Sequence, residues 1–141
     1  MTRYYEDVEL GDEIGPLEKI ATDQSVSDFC DVWGNTGPSR FTDNESAQAE
    51  GLAGAIVPGI MSMSYMAQLL TQWTDGGSIK KLDVVFRQLV SHNSPLRLIG
   101  VVTDMNQVDG ENQVECDLYL QNEQGDRMVG GQAILLLAIK E

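Results

Sequence analysis

The sequence predicts one α+β domain in which an antiparallel sheet wraps around a long apolar helix. The chain has 141 residues, of which 42% are hydrophobic and 22% are charged. This is the size and composition of one packed core, so we assign residues 1–141 to a single domain. Residues 60–73 form a helical stretch with almost no polar face, and four strand-like segments follow it.

The first half of the chain predicts a strand, a helix, a loop and a short second helix. The strand covers residues 14–21, and Thr22 can cap a helix that ends at Gly34. The apolar residues of this helix recur at i, i+3, i+4 and i+7, namely Val26, Phe29, Cys30 and Trp33. Residues 35–43 are rich in Gly, Pro and small polar residues, which is typical of an ordered loop. The second helix is expected over residues 44–51.

The second half predicts the central helix and most of the sheet. A helix that is apolar nearly all round must be enclosed, and the rest of the chain is expected to enclose residues 60–73. Turn signals occur at Asp109-Gly110 and Gln124-Gly125. The predicted strands form an antiparallel meander and cover residues 79–90, 96–105, 113–122 and 128–140.

Charge and composition disfavour several classes of function. Nine Lys and Arg against 22 Asp and Glu give a net charge of −13, which repels nucleic acids and anionic membrane surfaces. No apolar run approaches the roughly 20 residues of a membrane span, and the acidic N-terminus does not resemble a signal peptide. The two cysteines, Cys30 and Cys116, match no metal-ligand spacing. We therefore expect a cytoplasmic protein without a metal, and His92, the one histidine, as a turn residue.

Three segments resemble the MaoC-like branch of the hot-dog family. Residues 5–13, YEDVELGDE, resemble the family's opening F-x-D-hydrophobic-x-x-G-D. Residues 56–64, IVPGIMSMS, resemble I-V-H-G-M-x-x-x-S at the mouth of the family's central helix. Residues 84–87, VVFR, stand where the family has an F-x-x-P-V strand. The resemblance implies a hot-dog fold and an enoyl-thioester hydratase or dehydratase, with a coenzyme A thioester as substrate and no other cofactor.

The chain departs from the family in its reactive motif, D-x-N-P-hydrophobic-H-x-D. Counted from Gly34, the Asp, Asn, Pro and His positions of the motif fall on Asn35, Gly37, Pro38 and Arg40. Counted back from Asp43, the His position falls on Phe41. Both alignments leave the family's Asp/His pair absent.

This departure affects the acid–base half of the expected chemistry. Hydration of an enoyl thioester needs a base for water, an acid for the α-carbon and donors for the enolate oxygen. Asn35 does not exchange protons readily and Arg40 stays charged, so Asp31 and Asp43 are candidate substitute carboxylates. Structural roles are open for all four: Asn35 as a helix terminator, Asp31 as a solvated charge, Asp43 as a helix cap, and Arg40 in an ion pair with either aspartate.

The mouth of the central helix supplies the candidate substrate-binding residues, which are Pro58, Gly59, Ser64 and Tyr65. The amide of Gly59 at a helix N-terminus is suited to a thioester oxygen, and Ser64 matches a serine of some family members. Ser64 can alternatively bond to the carbonyl four residues earlier. Basic residues of the strands can hold the phosphates of coenzyme A or be solvated, namely Lys80, Lys81, Arg87 and Arg97.

Three functions remain open, with catalysis undecided but a hydro-lyase favoured. The first is an acyl-CoA hydratase or dehydratase that binds its thioester at the mouth of the central helix. The second is a catalytically silent subunit beside a hot-dog chain with an intact motif. The third is a thioesterase-like or acyl-binding protein. Because hot-dog domains pair through their sheets, the resemblance also implies a homodimer, a larger oligomer or a pair with a second hot-dog subunit.

Overall fold

The computed structural model describes residues 1–141 and contains three α-helices and five antiparallel strands. A 3₁₀ turn at Tyr5–Asp7 precedes them. The helices are α1 Asp23–Trp33, α2 Asn44–Ala49 and α3 Gly59–Thr74. The strands are β1 Glu13–Ile20, β2 Ser78–Phe86, β3 Pro95–Val108, β4 Glu111–Gln121 and β5 Arg127–Leu136. They form one sheet in the order β1-β3-β4-β5-β2, which confirms the predicted α+β hot-dog fold with its long helix.

The strand order corrects the predicted meander. Only β3, β4 and β5 follow one another as hairpins, because β2 pairs with β5 at the far edge and β1 pairs with β3. β2 also ends at Phe86 instead of residue 90. Beyond it the amides of Arg87 and Gln88 both donate to the Met128 carbonyl, and Val90 turns to the start of α3.

Two further strand ends differ from the prediction because of long-range pairing. β3 continues to Val108, where it pairs with Glu111 across a tight turn. β5 stops at Leu136 instead of residue 140, since the next carbonyls and amides bond elsewhere. The Ala138 carbonyl, for example, accepts from the amide of Tyr5.

The predicted caps of α1 are confirmed. The Thr22 hydroxyl accepts from the amide of Ser25 at 3.0 Å, and Gly34 ends the helix in the left-handed region with φ 93°. Val26 and Cys30 are buried. The 3.6-residue pattern therefore identified the inward face of this helix.

Helix α3 packs one side on the inner face of the sheet. Met66, Leu69 and Leu70 are buried there with strand residues such as Leu98 and Leu118. The expected enclosure on all sides is wrong within one chain, because Ile60 is 45% exposed. None of the helices is both long and apolar enough to cross a membrane.

Candidate functional site

Three separate segments meet just before α3. The Ile56 amide donates to the Arg40 carbonyl at 3.0 Å, and the Val57 amide donates to the Val90 carbonyl at 2.8 Å. Ile56 also forms an isolated antiparallel bridge with Ser91. The loop over residues 35–43 and the connection between β2 and β3 are thereby both anchored to the start of the central helix.

The first turn of α3 has backbone donors without acceptors. Pro58 is the N-cap, and no side chain caps the helix. The amides of Gly59 and Ile60 donate no backbone hydrogen bond, whereas the Met61 and Ser62 amides both bond to the Pro58 carbonyl. Free amides at the positive end of a helix dipole attract an oxygen that carries negative charge. The structure thus places Pro58 and Gly59 at a helix N-terminus, as the sequence predicts, and their role in binding a substrate stays a prediction.

Phe86, at the end of β2, forms an apolar wall over this turn. A Cβ atom at Gly59 would lie 3.0 Å from Cζ of the Phe86 ring, closer than ordinary van der Waals contact. The ring itself is 53% exposed. Phe86 is part of the VVFR segment that resembles the family, yet its contact with Gly59, 27 residues away, was not predicted because local patterns do not report such pairs.

The loop carries a second feature, an open groove beside α2. Asn35, Pro38 and Arg40 line this groove of about 570 Å³ together with Glu50. The Arg40 guanidinium forms an ion pair with the Glu50 carboxylate at 2.9 Å. The expected pairing of Arg40 with Asp31 or Asp43 is therefore wrong, because α2 turns the chain back and brings Glu50 to the arginine.

The two aspartates proposed as substitute bases lie outside this groove. Asp31 is exposed on α1. Asp43 caps α2, and its carboxylate accepts from the Ser46 hydroxyl at 2.7 Å and from the Ser46 amide at 3.0 Å. The hydrogen bond from the Ser46 hydroxyl, and to a smaller extent the one from the Ser46 amide, holds the pKa of the Asp43 carboxyl below its ordinary value. A carboxylate stabilised in this way is a weaker proton acceptor.

The capping role of Asp43 has a testable pH dependence. Because its pKa is lower in the folded chain, ionised Asp43 stabilises the fold above the unfolded pKa, and this contribution disappears as pH falls through the lower folded value. Asp43→Asn retains a capping oxygen but does not titrate. Thermal unfolding midpoints measured from pH 7 to about 2 should therefore fall less in this variant than in the wild type below about pH 4. The exposed Asp31→Asn variant is the control, and identical profiles for all three chains would contradict the prediction.

Ser64 and Tyr65 occupy different surroundings on α3. The Ser64 hydroxyl donates to the Ile60 carbonyl at 2.9 Å, which is the structural alternative noted for it. The Tyr65 ring is half-buried with the Lys19 ammonium 5.4 Å from its centroid, and burial raises the pKa of its hydroxyl. Neither residue lines the groove beside α2, so their binding roles stay predictions.

His92 has partners that the sequence did not reveal. Its side chain is only 7% exposed, and Nδ1 lies 2.9 Å from Oδ1 of Asp23. Nε2 lies 3.1 Å from the Ile56 carbonyl oxygen. Hydrogen bonds from His92 and then Asn93 hold the pKa of Asp23 below its usual range. Since protein atoms engage both ring nitrogens, His92 fastens the segment before α3.

An aromatic cluster ties the loop to the end of α1. The ring centroids of Phe29 and Trp33 are 6.0 Å apart, and those of Trp33 and Phe41 are 5.9 Å apart. Such tilted pairs stabilise a contact beyond the burial of their area. Phe41 therefore anchors the loop next to Arg40.

Solved structures with the same architecture include hydratases. The R-hydratase PhaJ1 from Pseudomonas aeruginosa has a TM-score of 0.86 and 16% identity, covering 97% of this chain and 86% of that one. The (R)-hydratase from A. caviae involved in PHA biosynthesis has a TM-score of 0.84 and 18% identity, covering 96% and 99%. The ChsH1-ChsH2 complex from Mycobacterium tuberculosis has a TM-score of 0.80 and 17% identity, covering 92% and 98%. At these identities the likeness shows the fold.

Family membership follows from the sequence match. No curated protein sequence matches the chain. The profile described as "MaoC like domain" matches residues 18–124, which is well over half of the chain and includes the end of β1, the loop, α3 and strands β2 to β4. With this match and the hot-dog arrangement of one sheet and one long helix, the chain belongs to the MaoC-like domain family.

Proposed function

We propose that the chain is a hydratase- or dehydratase-like protein that binds an acyl thioester, such as an acyl-CoA, at the start of α3. A second hot-dog subunit provides the acid–base pair of the reaction. The observation that carries this proposal is that the site has free backbone donors but no free histidine. The Gly59 and Ile60 amides are free to donate, whereas the only histidine of the chain is engaged by Asp23 and the Ile56 carbonyl.

The free amides fit the electrostatic part of the reaction. Water addition to an enoyl thioester places negative charge on the carbonyl oxygen as the enolate forms. Two backbone N–H groups at a helix N-terminus stabilise such an oxygen without titrating. The exposed ring of Phe86 beside them provides an apolar contact for the acyl part of the ligand.

The proton transfers need an acid and a base, which the residues at the Asp and His positions of the family's motif do not provide. The amide of Asn35 neither takes nor gives a proton under ordinary conditions, and Arg40 remains a cation. Asp43 is engaged as a helix cap. A partner chain that retains the family's Asp/His pair would complete the reaction.

The proposed assembly is supported by the free edge of β2. This strand has a neighbour only on its β5 side, so its other backbone edge can pair with another chain. Three large apolar residues are exposed at or beyond its end, namely Val85, Phe86 and Leu89. We propose a homodimer, a larger oligomer or a mixed pair. One structural relative is itself a complex of two proteins, ChsH1 and ChsH2.

One observation favours a second candidate, an autonomous hydro-lyase. Glu50 lies in the same groove as Asn35 and next to Arg40. Its carboxylate could activate water if a thioester entered this groove. In that case the chain would hydrate enoyl thioesters without a partner.

Hydration and binding measured on the purified chain alone distinguish the two candidates. The substrates are trans-2-enoyl-CoA thioesters from short to bulky, and binding is measured as the shift in the thermal unfolding midpoint. We expect no hydration, together with a larger shift for acyl thioesters than for free coenzyme A. That difference is expected because only the thioester places a carbonyl oxygen at the Gly59 and Ile60 amides.

The other outcomes identify what is wrong. Turnover that is lost in Glu50→Gln but kept in the control Glu45→Gln, an exposed residue of the same helix, would establish the autonomous enzyme. Neither turnover nor a thermal shift with any thioester would reject thioester binding at α3.

A further inference from the structure

The face of the sheet that points away from α3 is divided into rows of different chemistry. Buried and outward residues alternate along each strand. On β3 the outward residues include Arg97, Ile99 and Val101. The pairing register determines which outward side chains of neighbouring strands lie side by side. Three neighbouring rows follow from it, one basic, one apolar and one acidic.

The basic row crosses the sheet at one end. Arg97 on β3 lies opposite Gln121 on β4, which lies opposite Arg127 on β5. At the β1 edge the row ends on an acid, Glu18, which is paired in register with Arg97. Arg87 extends the row beyond β2, with Nε 3.8 Å from the position that a Cβ of Gly130 would take. None of these three arginines has a carboxylate oxygen within 4.0 Å. Three cations without an ion pair are notable in a chain with a net charge of −13.

The next two rows are apolar and acidic. The apolar row consists, in register, of Ile99, Tyr119, Gly130 and Val85. The Arg127 guanidinium lies 3.8 Å from the centroid of the Tyr119 ring, which links this row to the basic one. Two residues further along the strands, the acidic row contains Glu13, Asp117 and Asp83. One face of the sheet thus presents the basic row on one side of the apolar row and the acidic row on the other side.

We propose that two copies of the chain stack through this outer face, with the basic row of each copy against the acidic row of the other. A rotation of 180° about an axis along the apolar row leaves that row facing itself and exchanges the two charged rows. Stacked sheets lie about 10 Å apart, which long arginine side chains can bridge.

The individual charges agree with this arrangement. Arg87 comes to face Asp83 of the second copy, and Arg97 and Arg127 come to lie on either side of its Asp117. The stacking also brings Glu13 of each copy towards Glu18 of the other, two like charges. This happens only at the β1 corner, where the twist of the stacked sheets moves the two copies apart. A second copy fits better than a phosphate-bearing ligand, because the nearby acidic row would repel an anion that the basic row attracts.

The test uses two charge-reversed chains and their mixture. Arg97→Glu with Arg127→Glu makes both charged rows acidic, and Asp83→Lys with Asp117→Lys makes both rows basic. The latter also removes the exposed Asp83–Lys81 pair, with its atoms 3.3 Å apart, which contributes little to stability. By light scattering after gel filtration, each variant alone should have half the mass of the wild-type assembly. Their equimolar mixture should recover the full mass, since each variant then meets opposite charges in both halves of the interface.

The result does not depend on the function proposed above, because pairing through the β2 edge would double every mass equally. The control is Asp28→Lys with Glu45→Lys, on α1 and α2. It changes the net charge as much as Asp83→Lys with Asp117→Lys does, but away from the stacked face, and it should keep the wild-type mass. Equal masses for the wild type and both charge-reversed chains would overturn the stacking. Protection by free coenzyme A that is lost in the Arg97→Glu/Arg127→Glu chain, at unchanged mass, would also overturn it and assign the basic row to phosphate binding.

Discussion

Replacing Gly59 by valine should weaken acyl-thioester binding about 3- to 10-fold, the expected cost of losing a hydrogen bond to the neutral thioester carbonyl. A Cβ at this position would lie 3.0 Å from Cζ of Phe86, so the valine side chain and the ring compete for the space over the free amides. Titration of an acyl-CoA against the thermal unfolding midpoint, or calorimetry, measures the loss.

The fold should tolerate this change. The Phe86 ring is 53% exposed and can turn away from the added side chain. Circular dichroism checks that the variant is folded before binding is measured. The matched glycine control is Gly130→Ala on the opposite face of the sheet, where the nearest atom to the added Cβ is Arg87 Nε at 3.8 Å. An unchanged affinity of Gly59→Val would show that the ligand does not bind over the first turn of α3.

Replacing Leu70 by alanine should lower the free energy of unfolding by about 2–5 kcal/mol, the range for deleting a fully buried leucine side chain. Leu70 is 0% exposed and belongs to the main core cluster between α3 and the sheet. Since domains of this kind are stable by roughly 5–15 kcal/mol, the change removes a large part of the stability. Urea unfolding at a fixed protein concentration measures it.

Two variants separate the loss of packing from the change in helix propensity. Gln72→Ala lies on the exposed side of the same helix and should change stability by less than about 0.5 kcal/mol. Leu70→Met roughly conserves side-chain volume and should cost less than about 1.5 kcal/mol. A loss in Leu70→Ala no larger than that in Gln72→Ala would mean that α3 is not packed on the sheet as described.

Periodicity predicted the elements well because it is a local property. The spacing of Val26 and Cys30 identified the buried face of α1, and Thr22 and Gly34 marked its ends. Alternation in residues 113–122 identified the inward residues of β4, of which Leu118 and Leu120 are fully buried. These patterns depend on residues a few positions apart, which a sequence shows directly.

Strand ends and sheet order depended on contacts that the sequence does not show. The sequence predicted that β2 reaches residue 90, because apolar residues continue past Phe86. In the structure β2 ends at Phe86, and the Val90 carbonyl instead accepts from the Val57 amide before α3. Likewise, nothing local indicates that β2 lies beside β5. Apolar composition reports burial, whereas the pairing partner is set by the whole fold.

The candidate site was predicted in position more than in detail. The sequence placed Gly59 at a helix N-terminus and Asn35 and Arg40 in an adjoining loop. It missed Glu50 as the partner of Arg40 and Phe86 as the wall over Gly59, since both contacts join different segments. A cytoplasmic location and the absence of a metal stay predictions.

The aromatic cluster at the end of α1 gives the chain a built-in optical reporter. The sequence has two tryptophans, and Trp33 packs against Phe41 in the candidate loop. Trp73 lies at the C-terminal end of α3, far from the loop in sequence, with the Arg3 guanidinium 4.3 Å from its ring. Because indole emission responds to its surroundings, a displacement of the loop changes the contribution of Trp33 and leaves that of Trp73 unchanged. Fluorescence of the unlabelled chain can therefore follow this loop in real time, without a chromophoric substrate.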